Sequence, residues 1–250
     1  MTANRRIIWI LGATSAIAHA YARRRAERGA SLLLVARNEA HLAANAGDLA
    51  ARGATKVSTR TCDLARSLDH DAIVSELMTS NSAPDEVLIA YGTLEQPGRT
   101  VRDIAYAREL IDTNFTSAAL WLLAIIARRD QNRPLNLVVI GSVAGDRGRA
   151  RNLVYGAAKS GLDRFVEGLQ QTYAGTTLRL VRVKPGFVDT PMTADFAKGG
   201  PLWAKPERVA ADIERAVDRG RAVVYTPWFW WPIMMIIRHL PRFIFHRLKI

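Results

Sequence analysis

Short apolar runs alternate with longer segments of helical period along most of the chain. "IIWIL" (7–11) is followed by "AIAHAYARRRAERG", a helical pattern that stops at Gly29. "SLLLVA" (31–36) precedes an alanine-rich helix from Asn38 to Arg52, and "KVSTRTCD" (56–63) alternates apolar and polar positions as a strand does. A helix over 68–80, the run "EVLIAYG" (86–92), two helices across 101–130, "NLVVIGS" (136–142), a helix from Leu153 to Tyr173 and "LRLVRVKPG" (178–186) continue the pattern. "KPERVAADIERAVDRGRAVVYTP" then adds one more helix and a seventh strand. Continuous apolar runs predict strands covered on both faces, and each parallel crossover needs a helix to return the chain. The expected fold class is α/β: a single doubly wound domain over 1–226, with a seven-stranded parallel sheet and helices on both faces. In such sheets ligands sit outside the carboxyl ends of the strands, so the loops after residues 11, 36, 63, 91, 142 and 185 are expected to carry the chemistry.

Residues 227–250 break the pattern. From Val223 to Ile237 the apolar run is fifteen residues long and contains Pro227 and Pro232. A bilayer-spanning helix needs about 20 predominantly apolar residues, so this run is too short and too broken to cross. "WPIMMIIRHLPRFIFHRLKI" predicts two short amphipathic helices separated at Pro241, with tryptophans at the start and cations but no acids after it. Three destinations are open for this arm: the plane of a membrane interface, the substrate pocket of its own subunit, or a seam between subunits of a homo-oligomer.

Composition sets bounds. Apolar content of 49% and charged content of 23% are those of a globular chain. The single cysteine, Cys62, excludes an internal disulfide and suits a reducing compartment, and it makes a structural zinc site or any other resident metal unexpected. The net charge of +12 comes from arginines scattered through stretches such as "YARRRAERG" and "GDRGRAR". They read as a solvated surface or as contacts to phosphate or lipid, and without a recognisable module they do not indicate nucleic acid. At the start of the chain Arg5 and Arg6 precede an apolar core of only five residues, shorter than a secretory signal needs. A cytoplasmic location is expected, peripheral at the inner face of the cell membrane if the arm touches lipid.

"LGATSAIA" (11–18) joins the first strand to the first helix, where backbone N–H groups and the positive helix end can receive a pyrophosphate. Only Gly12 remains of the glycines usual in such a turn, since Ala16 and Ala18 stand at the other two positions. The second strand ends in Ala36 and Arg37 where an acidic side chain would hold the ribose 2′-hydroxyl of NAD. A guanidinium there pairs with a 2′-phosphate, so Arg37 points to NADP(H), with NAD(H) as the alternative. Asp63 after the third strand either accepts a hydrogen bond from adenine or caps the next helix.

The most informative stretch is "GSVAGDRGRARNLVYGAAKSGLDRF" (141–165). Ser142 ends the fifth strand, and Tyr155 and Lys159 stand four apart on one face of the next helix. Asn114, in "IDTNFTSAAL", lies on the helix before that strand. These four residues, with the proline-glycine turn in "KPGFVDT" (184–190), resemble the short-chain dehydrogenase/reductase family, a Rossmann-type fold, over 7–192. The resemblance implies that Tyr155 is the proton donor to a carbonyl accepting hydride, and that Ser142 orients the substrate oxygen. It implies that Lys159 lowers the phenol pKa and holds the nicotinamide ribose, and that Asn114 fixes a water leading to Lys159. It also implies cofactor contacts from Gly12, Thr14, Ser15, Ala16 and Ile17, from Arg37, Asp63, Leu64 and Gly92, from Tyr155 and Lys159, and from Pro185, Gly186, Val188 and Thr190. Departures are the two alanines in the first loop and "IAYG" (89–92) where the family has Asn-Asn-Ala-Gly.

The ending, with "VYGAAKSGLDRF" and "PMTADFAKGGPLWAKPERVA", is similar to reductases of the decaprenylphosphoryl-ribose 2′-epimerase systems of actinobacterial cell walls. That likeness implies reduction of the 2-keto group of a polyprenyl-phosphate-linked keto-pentofuranose, with a separate flavin-dependent oxidase as partner. Arg147, Arg149 and Arg151 are candidates for its phosphodiester, or are solvated loop residues. The alternatives are a reductase of another membrane-derived ketone, such as a long-chain acyl or sphingoid ketone, and a non-catalytic nucleotide-binding interaction protein.

Overall fold

The computed structural model describes residues 6–67, 69–96 and 98–248; the outer ends of the expected segments 1–226 and 227–250, and Arg5, lie outside them. Seven parallel strands form the main sheet: β1 Ile7–Leu11, β2 Ser31–Ala36, β3 Lys56–Thr61, β4 Glu86–Ile89, β5 Leu135–Ile140, β6 Leu178–Pro185 and, after two short strands, β9 Val223–Thr226. Their order is β3-β2-β1-β4-β5-β6-β9, so the direction of winding reverses between β1 and β4. Side chains alternate between faces, which is why the apolar runs had to be continuous. Ile8, Ile10, Leu32 and Leu34 enter one core with α1 (Ala16–Ala26), α2 (Glu39–Ala51) and α7 (Pro206–Asp218). Trp9, Leu11, Leu33 and Val35 enter the other, under α3 (His70–Asn81), α5 (Ser117–Arg128) and α6 (Leu153–Thr172).

Two expectations change. The two helices expected across 101–130 run as one: α4 (Ile104–Ile111) continues into α5 through a π turn at Asp112–Thr116. One inserted residue does not disturb an apolar pattern enough to be read, yet it re-aims Asn114, the buried member of that turn. This helix, 104–128, is long and apolar enough to cross a membrane by length and composition, but it is a core helix with over half of its most apolar window buried. The "RRR" segment is not wholly solvated either. Arg25 is buried and pairs with Glu86 at 2.9 Å and Glu214 at 3.6 Å, tying α1 to β4 and α7.

Beyond β6 the chain makes a small two-stranded parallel pair, β7 (Phe187–Val188) with β8 (Trp203–Ala204), unforeseen from the sequence. After β9 come α8 (Trp230–His239) and α9 (Arg242–Phe245), separated at Leu240-Pro241. Pro232 falls in the first turn of α8, where its missing N–H costs no helix bond. Every loop of interest leaves the carboxyl edge of the sheet.

Candidate active site

The first loop presents donors without competition. Gly12 has φ +91°, and a Cβ there would lie 2.8 Å from Tyr91, so only glycine lets β1 turn against the end of β4. Ser15 is the N-cap of α1 but its hydroxyl does not cap the helix, and the first turn carries no acid. The free N–H groups at Ala16 and Ile17 and the positive helix end therefore face the loop. Ala18 points into the core and Thr14 is exposed. The loop is thus a cradle that fits a dinucleotide pyrophosphate, with the added methyl of Ala18 absorbed by packing.

At the end of β2 the Arg37 side chain is 76% exposed, with its nearest carboxylate, Asp63, at 4.0 Å across the end of β3. Asp63 accepts from the backbone N–H of Ala65 at 3.0 Å, which makes it a turn cap, with its second oxygen toward Arg37. The side chain of Leu64 is buried and its carbonyl accepts from Trp121 Nε1 at 3.0 Å.

The catalytic candidates converge at the ends of β4 and β5. Tyr155 and Lys159 are buried on the first turns of α6, with Lys159 Nζ 5.9 Å from the phenol ring centre. Ser142 sits at the end of β5, its Oγ accepting from Ala144 N at 3.0 Å, which holds the 142–146 turn closed. Two glycines let that turn meet the helix: a Cβ on Gly145 would lie 2.8 Å from the Lys159 backbone, and one on Gly156 would lie 3.1 Å from Ala144 O. Gly92 is equally constrained, since a Cβ there would meet Asn114 Oδ1 at 2.6 Å and Lys159 Nζ at 3.4 Å. The Asn114 carboxamide itself donates to Thr93 O and Leu110 O and accepts from Thr93 N, so it fastens the π turn to the loop after β4.

The electrostatics differ from the sequence expectation in one respect. Burial raises the Tyr155 phenol above its ordinary value, with the Ser142 hydroxyl acting in the opposite sense; Lys159 does not bring it down. Lys159 is itself lowered to about 8 by burial, with its ammonium directed to Ile140 O at 3.1 Å. A phenol held protonated is suited to giving a proton away.

Sequence reasoning missed several parts of this site. Glu95 is buried, and one of its oxygens accepts from the backbone N–H groups of Val154 and Tyr155 at 2.8 and 2.9 Å, while the other receives the Thr100 hydroxyl. It caps the catalytic helix, which Asn152 at the N-cap position does not. Lys184 bridges Asp146 at 2.7 Å and Asp163 at 2.9 Å, and Tyr225 donates to Asp146 at 2.8 Å, so buried charge fixes the far end of the Ser142 turn. In the proline-glycine turn, Pro185 and Val188 are buried and Thr190 half-buried, whereas Gly186 lies beneath Trp230 of α8: a Cβ there would be 1.9 Å from the indole. That stacking was a signal without a reader in the sequence.

The three loop arginines do not converge. Arg147 donates to the carbonyls of Ile237, Arg238 (3.4 Å) and Leu240 (2.8 Å) and lies 3.7 Å from the Phe245 ring centre, so it caps α8 where a substrate phosphodiester was expected. Arg149 turns inward to Val143 O at 3.1 Å, and Arg151 stays exposed. Among the described residues no group of His, Cys, Asp and Glu side chains gathers as metal ligands.

Residues 6–199 match the short chain dehydrogenase family. The chain is 38% identical to an uncharacterized oxidoreductase of Mycobacterium tuberculosis, over 96% of this chain and 95% of that protein. It is 36% identical to an uncharacterized oxidoreductase of Streptomyces coelicolor, over 98% and 96%. Among solved structures it is similar to a Sphingobium yanoikuyae short-chain dehydrogenase in complex with NADPH (TM-score 0.81, 23% identity, 95% of this chain and 97% of that one). It is likewise similar to an actinorhodin polyketide ketoreductase variant with NADPH (TM-score 0.77, 21% identity, 90% and 96%). With its sheet order, its carboxyl-edge tetrad and a match over most of its length, the chain belongs to the short-chain dehydrogenase family of oxidoreductases.

Proposed function

We propose that the chain is an NADP(H)-dependent carbonyl reductase whose substrate is a ketone carried on a long apolar chain. The observation that carries this reading is a buried Tyr155, its pKa raised by burial, beside Ser142 and Lys159 at the edge of the sheet where large apolar side chains are exposed. Leu153, Met192, Phe196 and Leu202 are all large apolar side chains left exposed around the carboxyl edge. The cofactor would be held by the Gly12–Ile17 cradle, by Arg37 at a 2′-phosphate, by Asp63 and Gly92, by Lys159 at the nicotinamide ribose, and by the turn of Pro185, Gly186, Val188 and Thr190. When bound, the nicotinamide supplies the hydride. NADPH in the solved neighbours and the exposed Arg37 side chain at the end of β2 support NADP(H) over NAD(H).

The chain's own residues do the proton work. Ser142 orients the carbonyl oxygen, and Tyr155 gives its phenolic proton to that oxygen as it becomes an alcohol. Lys159, lowered to about 8 by burial, is placed to return a proton to the phenolate left behind. Gly92, with no Cβ, lets the Asn114 carboxamide and the Lys159 ammonium approach the loop after β4. Expected outcome: NADPH oxidation with an activated ketone falls by more than about a hundredfold in Tyr155→Phe, in line with the usual contribution of a positioned acid. Equal rates for the two proteins would remove the enzymatic reading.

The finer reading is that the ketone is the 2-keto group of a polyprenyl-phosphate-linked keto-pentofuranose, formed upstream by a flavin-dependent oxidase. The likeness of 154–165, of 191–210 and of the arm to reductases of such lipids supports it. A second reading, a long-chain acyl or sphingoid ketone without phosphate, gains from the commitment of Arg147 to α8 and of Arg149 to Val143. Turnover of the keto-sugar lipid set against a 3-keto acyl chain of equal length, both in detergent, decides between them.

A further inference from the structure

The arm after β9 is apolar on two sides, and only one of them is used. Its inner side packs on the catalytic end of the domain: Trp230 and Met234 are buried in a small cluster with Val143, and Trp230 also stands edge-on to Phe187. Arg147, five positions after Ser142, binds the last carbonyls of α8 and stacks on Phe245, so both helices are held in a fixed attitude. The outer side is left bare. Trp228 is 69% exposed, Trp231 56%, Ile236 66% and Phe243 68%. A short helix that is apolar all round is normally covered, and exposed patches of this kind mark contact surfaces.

Charge decides what covers it. Arg238, Arg242 and Arg247 are exposed on the same arm, and no acidic side chain follows Asp218 in the sequence. An isologous pairing of two copies through this face would bring one basic arm against another with no acidic side chain in either to answer it. An anionic lipid surface supplies both missing partners: acyl chains for the tryptophans, Ile236 and Phe243, and headgroup phosphates for the arginines. The arm leaves the carboxyl end of β9, so its attachment point lies at the same edge of the sheet as Ser142, Leu153, Met192 and Phe196.

We infer that the outer face of α8 and α9 is a docking surface for an anionic membrane, which sets the mouth of the active site against the bilayer. Docking needs neither ketone nor cofactor, so it stands or falls separately from the catalytic reading above. The test is co-sedimentation of the full chain with phosphatidylcholine vesicles, with and without about 30% phosphatidylglycerol, in low and high salt. Three arginines near the surface contribute roughly a hundredfold preference for the anionic vesicles, at about 1 kcal/mol each, and salt erodes it. The double variant Trp228→Ser, Trp231→Ser changes only exposed side chains and is expected to lose binding at least tenfold while keeping NADPH binding and thermal stability. Equal sedimentation with neutral and anionic vesicles, or full binding by the double variant, overturns the inference. So does a concentration-dependent dimer in ultracentrifugation that the double variant abolishes, because a second copy would then be the cover.

Discussion

Replacing Lys159 with methionine removes the charge that catalysis requires and is expected to make the protein more stable. The ammonium is buried, and its pKa falls from an ordinary 10.5 to about 8 because burial penalises the charged form. At about 1.4 kcal/mol per tenfold, holding it charged at neutral pH costs roughly 3 kcal/mol. Methionine, of similar length, escapes that cost but leaves Ile140 O without its 3.1 Å donor, a loss of about 1 kcal/mol. The net gain is about 2 kcal/mol at pH 7. The sign follows from linkage. A base whose folded pKa is depressed binds more protons unfolded between about 8 and 10.5, so wild-type stability climbs through that window and the cost is fully present below it. The gap between variant and wild type should shrink to under about 1 kcal/mol near pH 9.5. Urea unfolding at the two pH values measures it, beside an NADPH oxidation assay in which the variant is inactive. A methionine protein no more stable than wild type at pH 7, or a gap unchanged at the higher pH, would refute the electrostatic account of this site.

Other outcomes follow from single contacts. Glu95→Ala strips the acceptor from two N–H groups at the start of the catalytic helix and should lower kcat by about tenfold or more, at 1–3 kcal/mol per abandoned donor. Glu95→Gln keeps an acceptor oxygen and should recover most of that loss with an unshifted NADPH Kd, whereas an equal defect in both variants would contradict a capping role. Arg37→Ala should erase the preference for NADPH over NADH in a fluorescence titration, because no second cation pairs with Asp63 there among the described residues; an unchanged ratio would place the 2′-phosphate elsewhere. Gly186→Ala drives a Cβ to within 1.9 Å of the Trp230 indole and should release α8, read as faster proteolysis of the arm, while Trp230→Ala in the same chain relieves the clash. Cleavage of the arm no faster than in wild type would mean that the turn yields instead.

What the sequence could and could not disclose divides along the distance over which a residue acts. β1 and β2 were legible because strands buried on both faces leave continuous apolar runs, and the Tyr155–Lys159 pair because its spacing is one helical turn. The partners of those residues were not legible, because they lie far along the chain: Glu95 reaches Tyr155 across sixty positions, and Arg147 reaches Leu240 across ninety-three. A charged side chain gives no local sign of whether water, a ligand or a carbonyl will receive it, so Arg25 reads as surface and Arg147 as a phosphodiester contact or a solvated loop residue. The arm shows the same limit in another form. Residues 228–237 are apolar in every direction, so no periodicity could say which side would face the protein. The usable signal was on the other partner: Gly186, in a turn whose φ does not demand glycine, was required by the indole plane of Trp230 lying against it. That contact fixes the rotation of α8 and leaves Trp231 facing outward, beside Trp228 in the turn before the helix. The orientation of the arm on the domain is therefore set by one missing Cβ and one arginine from the catalytic loop.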